Sequence, residues 1–145
     1  MMKLEIKPEI LKQMSRHAEE TYPHECCGFF YGRDTGSIRR VLEAMPVKNS
    51  NTDIPERRFN IEPQDYRQAE RFADEQNLEL LGVYHSHPDH PAIASEHDRS
   101  VALPWFSYLI FSVMDGKTED IKSWKLNDER IFTEEKVEKP VDITI

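Results

Sequence analysis

Two histidines, His85 and His87, stand one residue apart at the end of the apolar run Leu78 to His87. In a strand, side chains two residues apart face the same side, so both imidazoles can reach one point in space. Two imidazoles are half of a zinc site, and catalytic zinc takes a third protein ligand while leaving a further position for water. That third ligand must come from a nearby turn or helix start. Asp98, eleven residues beyond His87, falls in the first turn of a short helix, and its carboxylate brings the negative charge a divalent ion favours. Asp89, His90 and His97 compete for the same place, and spacing alone does not separate them. Read alone, Ser95-Glu96-His97-Asp98 also fits a capping box, in which Ser95 and Asp98 satisfy backbone N–H groups at a helix start.

The elements that would position these residues follow from periodicity and turn chemistry. Met1 to Lys7 alternates like a short strand, and Pro8 opens a helix with Ile10, Leu11, Met14 and Ala18 on one face, ending near Tyr22-Pro23. Cys26 to Gly32, the turn Arg33-Asp34-Thr35-Gly36 and Ser37 to Val47 read as an antiparallel hairpin. Asn49 to Glu56 is the most loop-like stretch, and Arg58 to Ile61 reads as a further strand. Pro63 to Gln76 forms a second helix with Tyr66, Ala69, Phe72 and Ala73 as its apolar stripe and Asn77 as its stop. Leu78 to His87 is a buried strand, and Ser95 to Leu103 a short helix stopped by Pro104. Phe106 to Met114, Ile121 to Leu126 and Arg130 to Val137 are further β segments. The expected fold class is α+β, a mostly antiparallel or mixed sheet flanked by helices. Residues 1–137 form one domain and 138–145 a polar tail.

Composition narrows the function classes. The chain has 145 residues, with 19 Lys and Arg against 27 Asp and Glu, a formal net charge of −8 and no basic run. Phosphate backbones are repelled by such a surface, so nucleic acid is not an expected partner. The longest apolar stretches, Leu78 to Tyr84 and Phe106 to Val113, fall far short of the roughly 18 residues that span a bilayer, and Met1 to Lys7 has no signal-peptide core. A cytoplasmic protein with no membrane contact is expected. The only cysteines, Cys26 and Cys27, are adjacent. Neighbouring cysteines rarely meet disulfide geometry, and in an apolar run they serve as small core residues. At this length roughly two-thirds of the unfolded surface can be buried. The fold then needs no structural metal, and any metal is free to be functional.

The full pattern is His85-Ser86-His87, seven residues, Ser95, two residues, Asp98, with Glu25 upstream at the start of the Cys-Cys-Gly-Phe-Phe-Tyr-Gly strand. It resembles the JAMM (MPN-plus) zinc metalloprotease family, whose members include deubiquitinases and prokaryotic peptidases acting on ubiquitin-like proteins. The surroundings extend the likeness to the stand-alone bacterial branch. They are Pro23-His24-Glu25-Cys26-Cys27-Gly28, Arg58-Phe59-Asn60-Ile61, Gly82-Val83-Tyr84, Pro88-Asp89-His90-Pro91 and Ser107-Tyr108-Leu109-Ile110, so the likeness runs from about Leu4 to Phe132. A multi-position motif in the right order is far more specific than a lone His-x-His. The resemblance implies the α/β/α, cytidine-deaminase-like architecture of that family.

It also implies roles. His85, His87 and Asp98 become the ligands of one Zn2+ per chain, with a water in the fourth site whose pKa zinc can lower to about 7. Glu25 becomes the general base that accepts the water's proton and later delivers it to the leaving amine. Ser95 becomes a hydroxyl donor to the oxyanion, not a nucleophile. Ser86, on the opposite strand face, is assigned to packing or to support of the ligands. The implied substrate is a ubiquitin-like sulfur-carrier protein, cleaved after its C-terminal Gly-Gly by a monomer or homodimer. The loop residues Asn49, Ser50, Asn51, Thr52, Asp53 and Ile54 are the expected edge that grips the extended tail. Two other classes compete with this peptidase. One is a non-catalytic MPN scaffold, which typically lacks the ligand set; the other is a zinc hydrolase of a non-protein amide, or a phage-tail-type relative usually joined to a cell-wall peptidase domain.

Overall fold

The computed structural model describes residues 2–56 and 58–138. In chain order the elements are β1 (Lys3–Ile6), α1 (Pro8–Thr21), β2 (Cys27–Asp34), β3 (Ile38–Val47), α2 (Pro63–Gln76), β4 (Glu79–Pro88), α3 (Glu96–Val101), β5 (Ser107–Met114), β6 (Lys117–Leu126) and β7 (Phe132–Glu138). The seven strands close into a barrel in the order β1-β3-β2-β4-β5-β6-β7. Four neighbouring pairs are antiparallel, while β1–β3, β1–β7 and β4–β5 are parallel.

Closure corrects the expected architecture of a sheet lying between helical layers. The short β1 pairs with β3 on one side and with β7 on the other, so the two ends of the chain seal the barrel. Alternation within a strand reports which faces are buried, not which partners meet across more than a hundred residues. The helices do take opposite sides of β2, as its alternation requires. Phe30 belongs to a cluster with Ile10, Leu11, Met14 and Ala18 of α1. Its neighbours Phe29 and Tyr31 point the other way, to a cluster with Ala69 and Ala73 of α2. Pro8 and Pro63 open the two helices, and Asn77 ends α2 in the left-handed conformation that asparagine tolerates.

Two boundaries differ from expectation. Arg58 to Ile61 is not a strand, because its backbone groups go to side chains and single loop contacts instead of a ladder: the Arg58 carbonyl and the Asn60 N–H both bond to the Asn49 amide. β6 begins at Lys117, four residues before Ile121, through a polar stretch that pairs with β5 beyond a register shift. Of the expected polar tail, Glu138 closes β7 and residues 139–145 lie outside the described residues. No helix among the described residues is long and apolar enough to cross a membrane.

The close approach of β4 to β5 depends on Gly82. A Cβ there would lie 1.9 Å from the Ser107 carbonyl oxygen and 2.9 Å from the Phe30 ring, and backbone cannot yield as a side chain can. Gly82→Ala is therefore expected to cost about 3 kcal/mol, read as a lower urea midpoint at unchanged m-value. A midpoint equal to that of the parent would show that the strands separate freely at this point.

Candidate metal centre

β4 is buried from Leu81 to Pro88, with β2 on one side and β5 on the other. His85 and His87 are on the same strand face at its end, fully buried and 6% exposed respectively. The ladder pairs Cys27 with His85, so the antiparallel register carried two residues further brings Glu25 opposite His87. Ser86, between the two histidines, points the other way. Its hydroxyl accepts from the Cys26 N–H at 2.8 Å, and its own N–H donates to the Cys26 carbonyl. A remote acidic residue is thereby locked beside the histidines.

The third group arrives on α3. Ser95 is its N-cap, in a complete capping box: the Ser95 hydroxyl oxygen accepts from the Asp98 N–H, and the Asp98 carboxylate accepts from the Ser95 N–H at 2.9 Å. The cap and the site use the same residues. Asp98 Oδ2 lies 3.0 Å from His87 Nε2 and 3.4 Å from His85 Nε2. One donor atom from each of His85, His87 and Asp98 falls within 4.8 Å of the others. The competing residues are elsewhere occupied or outside this cluster. Asp89 is exposed and bonded to the Tyr22 hydroxyl and the Asp115 N–H. His90 lines the pocket beside the cluster, and His97 is half-buried.

The loop that supports His87 is pinned through three successive carbonyls. His87 Nδ1 bonds to the Pro91 carbonyl at 2.8 Å, which turns Nε2 toward Asp98. The flanking carbonyls of His90 and Ala92 accept from the Ser112 hydroxyl and the Trp124 indole. Phe59 stacks on the His85 ring with centroids 4.5 Å apart. Ser112 sits beside His87 on the neighbouring strand, Phe59 reaches His85 from the loop before α2, and Trp124 of β6 holds the loop that follows β4. Sequence spacing carries no signal for Ser112 or Trp124, and Phe59 shows only as part of the Arg58 to Ile61 likeness.

A cavity of about 550 Å³ opens beside the cluster, lined by Glu25, His87, His90, Pro91, Ile93 and Ser95. Burial pushes the Glu25 carboxyl up to about 8, with nearby Asp98 adding to the effect and His87 opposing it. Burial also works against ionisation of Asp98, but the two imidazoles outweigh it and hold that carboxyl well below the usual carboxylate range. His85 is lowered by burial, whereas for His87 the Asp98 carboxylate overcomes burial and raises it. Cys26, buried, has its thiol pushed up to about 12. A neutral buried thiol is no nucleophile, in keeping with both cysteines as free, buried core residues.

The loop Asn49 to Ile54 does not reach this cavity among the described lining residues. Asn49 and Asn51 instead turn their side chains inward, Asn51 Oδ1 accepting from the N–H groups of Asp53 and Ile54.

Both ring nitrogens of His85 and Oε1 of Glu25 are buried without a hydrogen-bond partner. Leaving such groups unmet is costly. The 3.4 Å approach of His85 Nε2 to Asp98 is an ion-pair distance, not an aligned hydrogen bond. Two imidazoles and one carboxylate with a free electron pair to meet are a donor set that suits zinc, so the residues present fit the ion that the family resemblance implies. A barrel carrying such a set beside an open cavity defines a candidate metalloprotein class.

Residues 7–127 match the family described as prokaryotic homologs of the JAB domain, and the chain belongs to that family. It is 30% identical over 113 residues to the desampylase of Pyrococcus furiosus, covering 78% of this chain and 74% of that protein. It is 29% identical over 104 residues to tail tip assembly protein K of Escherichia phage N15, covering 69% of this chain but 38% of the phage protein. To the probable TtuB-protein conjugate cleaving protease of Thermus thermophilus it is 30% identical over 107 residues, covering 74% and 68%. The solution structure of protein DSY2949 from Desulfitobacterium hafniense superposes with a TM-score of 0.83 at 28% identity, covering 94% of this chain and 92% of that one.

Proposed function

We propose that the chain is a zinc-dependent peptidase or isopeptidase that cleaves after the C-terminal Gly-Gly of a ubiquitin-like sulfur-carrier protein in the cytoplasm. Membership of the JAB family and relatives named for desampylation and for cleaving TtuB-protein conjugates support hydrolysis of bonds to ubiquitin-like proteins. The observation that carries the reading is Glu25: a 4% exposed carboxylate with one unpartnered oxygen, lining the same cavity as His87 and Ser95.

In this reading His85, His87 and Asp98 hold the ion. Zinc bound there supplies Lewis acidity, which acidifies water and polarises a carbonyl. Glu25 works as general base at Oε1, taking a proton from water and handing it to the departing amine nitrogen. Burial raises the proton affinity of this carboxyl while a bound dication would oppose that shift, which suits a group that must both take a proton and return it. The Ser95 hydroxyl spends its oxygen on the Asp98 N–H but keeps its proton, which is free to donate to the oxyanion.

Ser95→Ala removes that donor and a helix cap together. It is expected to lower kcat by about 10²-fold while costing about 1 kcal/mol of stability, whereas a change in KM alone would restrict Ser95 to a capping role. The reaction itself is tested by incubating zinc-loaded protein with ubiquitin-like carriers extended beyond Gly-Gly and reading intact mass. Loss of the extension, abolished by a chelator, is the expected result; carriers unchanged in mass across the set would contradict the proposal.

A further inference from the structure

Asn49 lies in the loop between β3 and α2, and its amide is fully used inside the protein. Nδ2 donates to the Glu25 carbonyl at 3.2 Å and to the Arg58 carbonyl at 2.9 Å. Oδ1 accepts from the N–H groups of Asn51 and Asn60, both at 3.0 Å. Two donors and two acceptor positions are all that an amide offers, so none is left for a ligand.

The ladder between β2 and β3 ends at Cys27 and Val47, two residues short of Glu25. Beyond that point the strands part and the backbone of Glu25 has lost its β3 neighbour. The loop supplies the missing bonds: the Asn49 amide takes the Glu25 carbonyl, and the Pro55 carbonyl takes the Glu25 N–H at 2.7 Å. From this geometry we infer that Asn49 is a positioning residue for Glu25, replacing strand pairing where β2 leaves β3 and fixing the backbone from which the carboxylate enters the cavity. The inference rests on the proposed role of Glu25, and it moves Asn49 from gripping substrate to aiming the base. A displacement of about 1 Å at a reacting group can cost 10²-fold in rate.

Two variants divide the amide. Asn49→Asp keeps an acceptor for Asn51 and Asn60, so the loop retains its internal turn, but it loses both donors; Asn49→Ala loses everything. Asn127→Ala is the control, since Asn127 Oδ1 organises the 127–131 turn through the Glu129 and Ile131 N–H groups without bonding to Glu25. On an extended Gly-Gly carrier, both Asn49 variants are expected to lose about 10²-fold in kcat, with KM within about threefold of the parent. Zinc content stays at the parent level, and Asn127→Ala keeps the parent kcat. In the metal-free protein, hydrogen exchange at the Glu25 N–H is expected to quicken at least about tenfold in the Asn49 variants only. If Asn49→Ala does not fold, Asn49→Asp carries the same comparison. A rise in KM at unchanged kcat would make Asn49 a substrate contact and overturn the inference, as would unchanged exchange at Glu25. If the parent cleaves no carrier, the functional reading fails, and the exchange result alone decides for or against the clamp.

Discussion

Glu25→Gln is expected to bind as much zinc as the parent and to lose about 10²- to 10⁴-fold in kcat. The amide matches the carboxylate in size, so the cavity keeps its shape, but it has no basic oxygen to take a proton. Three features make the effect large. The carboxylate is buried at 4% exposure, its Oε1 has no other partner, and burial raises its proton affinity toward the working range of a base. The substitution also removes a buried titratable group, so the folded protein should be no less stable. Turnover and zinc content measured on one preparation separate the outcomes. Near-parental kcat in the Glu25→Gln variant would take Glu25 out of the chemistry, and loss of zinc from it would make Glu25 part of the ion's support.

His85→Ala and His87→Ala are each expected to abolish zinc binding while leaving the barrel folded. Neither histidine belongs to the apolar clusters on the two faces of β2, and although Phe59 of one cluster stacks on the His85 ring, a core of this size does not depend on a metal to fold. The sensitive readout is linkage. Zinc at 100 times its Kd stabilises the parent by about 2.7 kcal/mol, on the order of 10 °C in Tm for a chain of this size. Both variants should show no such rise. If either kept the full rise, its imidazole would not be a ligand, and Asp98 with the remaining histidine would need a different third partner.

The site was partly legible because strand geometry is local. The two-residue spacing of His85 and His87 fixes their common face whatever the strand pairs with, whereas Asp98 has competitors and a rival reading as part of a helix cap until the motif likeness singles it out. Glu25 is different. Among 27 acidic residues nothing in its spacing marks it, and only the motif likeness did; its place depends on the antiparallel register that sets Cys27 against His85. Barrel closure was hidden for the same reason, since β1 meets β7 from the opposite end of the chain. The loop Asn49 to Ile54 was legible as a loop from its composition. Position and composition mark it as a candidate edge for a peptide tail, but they carry no signal that the Asn49 and Asn51 side chains bond the chain's own backbone, as short amide side chains in turns do.

Whether His85, His87 and Asp98 hold the ion is decided by X-ray absorption at the zinc edge, which reports the donor atoms without reference to activity. The expected result is one zinc per chain surrounded only by nitrogen and oxygen at about 2.0–2.2 Å, with imidazole scattering that disappears along with the bound metal in His85→Ala and His87→Ala. A sulfur neighbour at about 2.3 Å, pointing to Cys26 or Cys27, or an unchanged spectrum in the histidine variants, would contradict it.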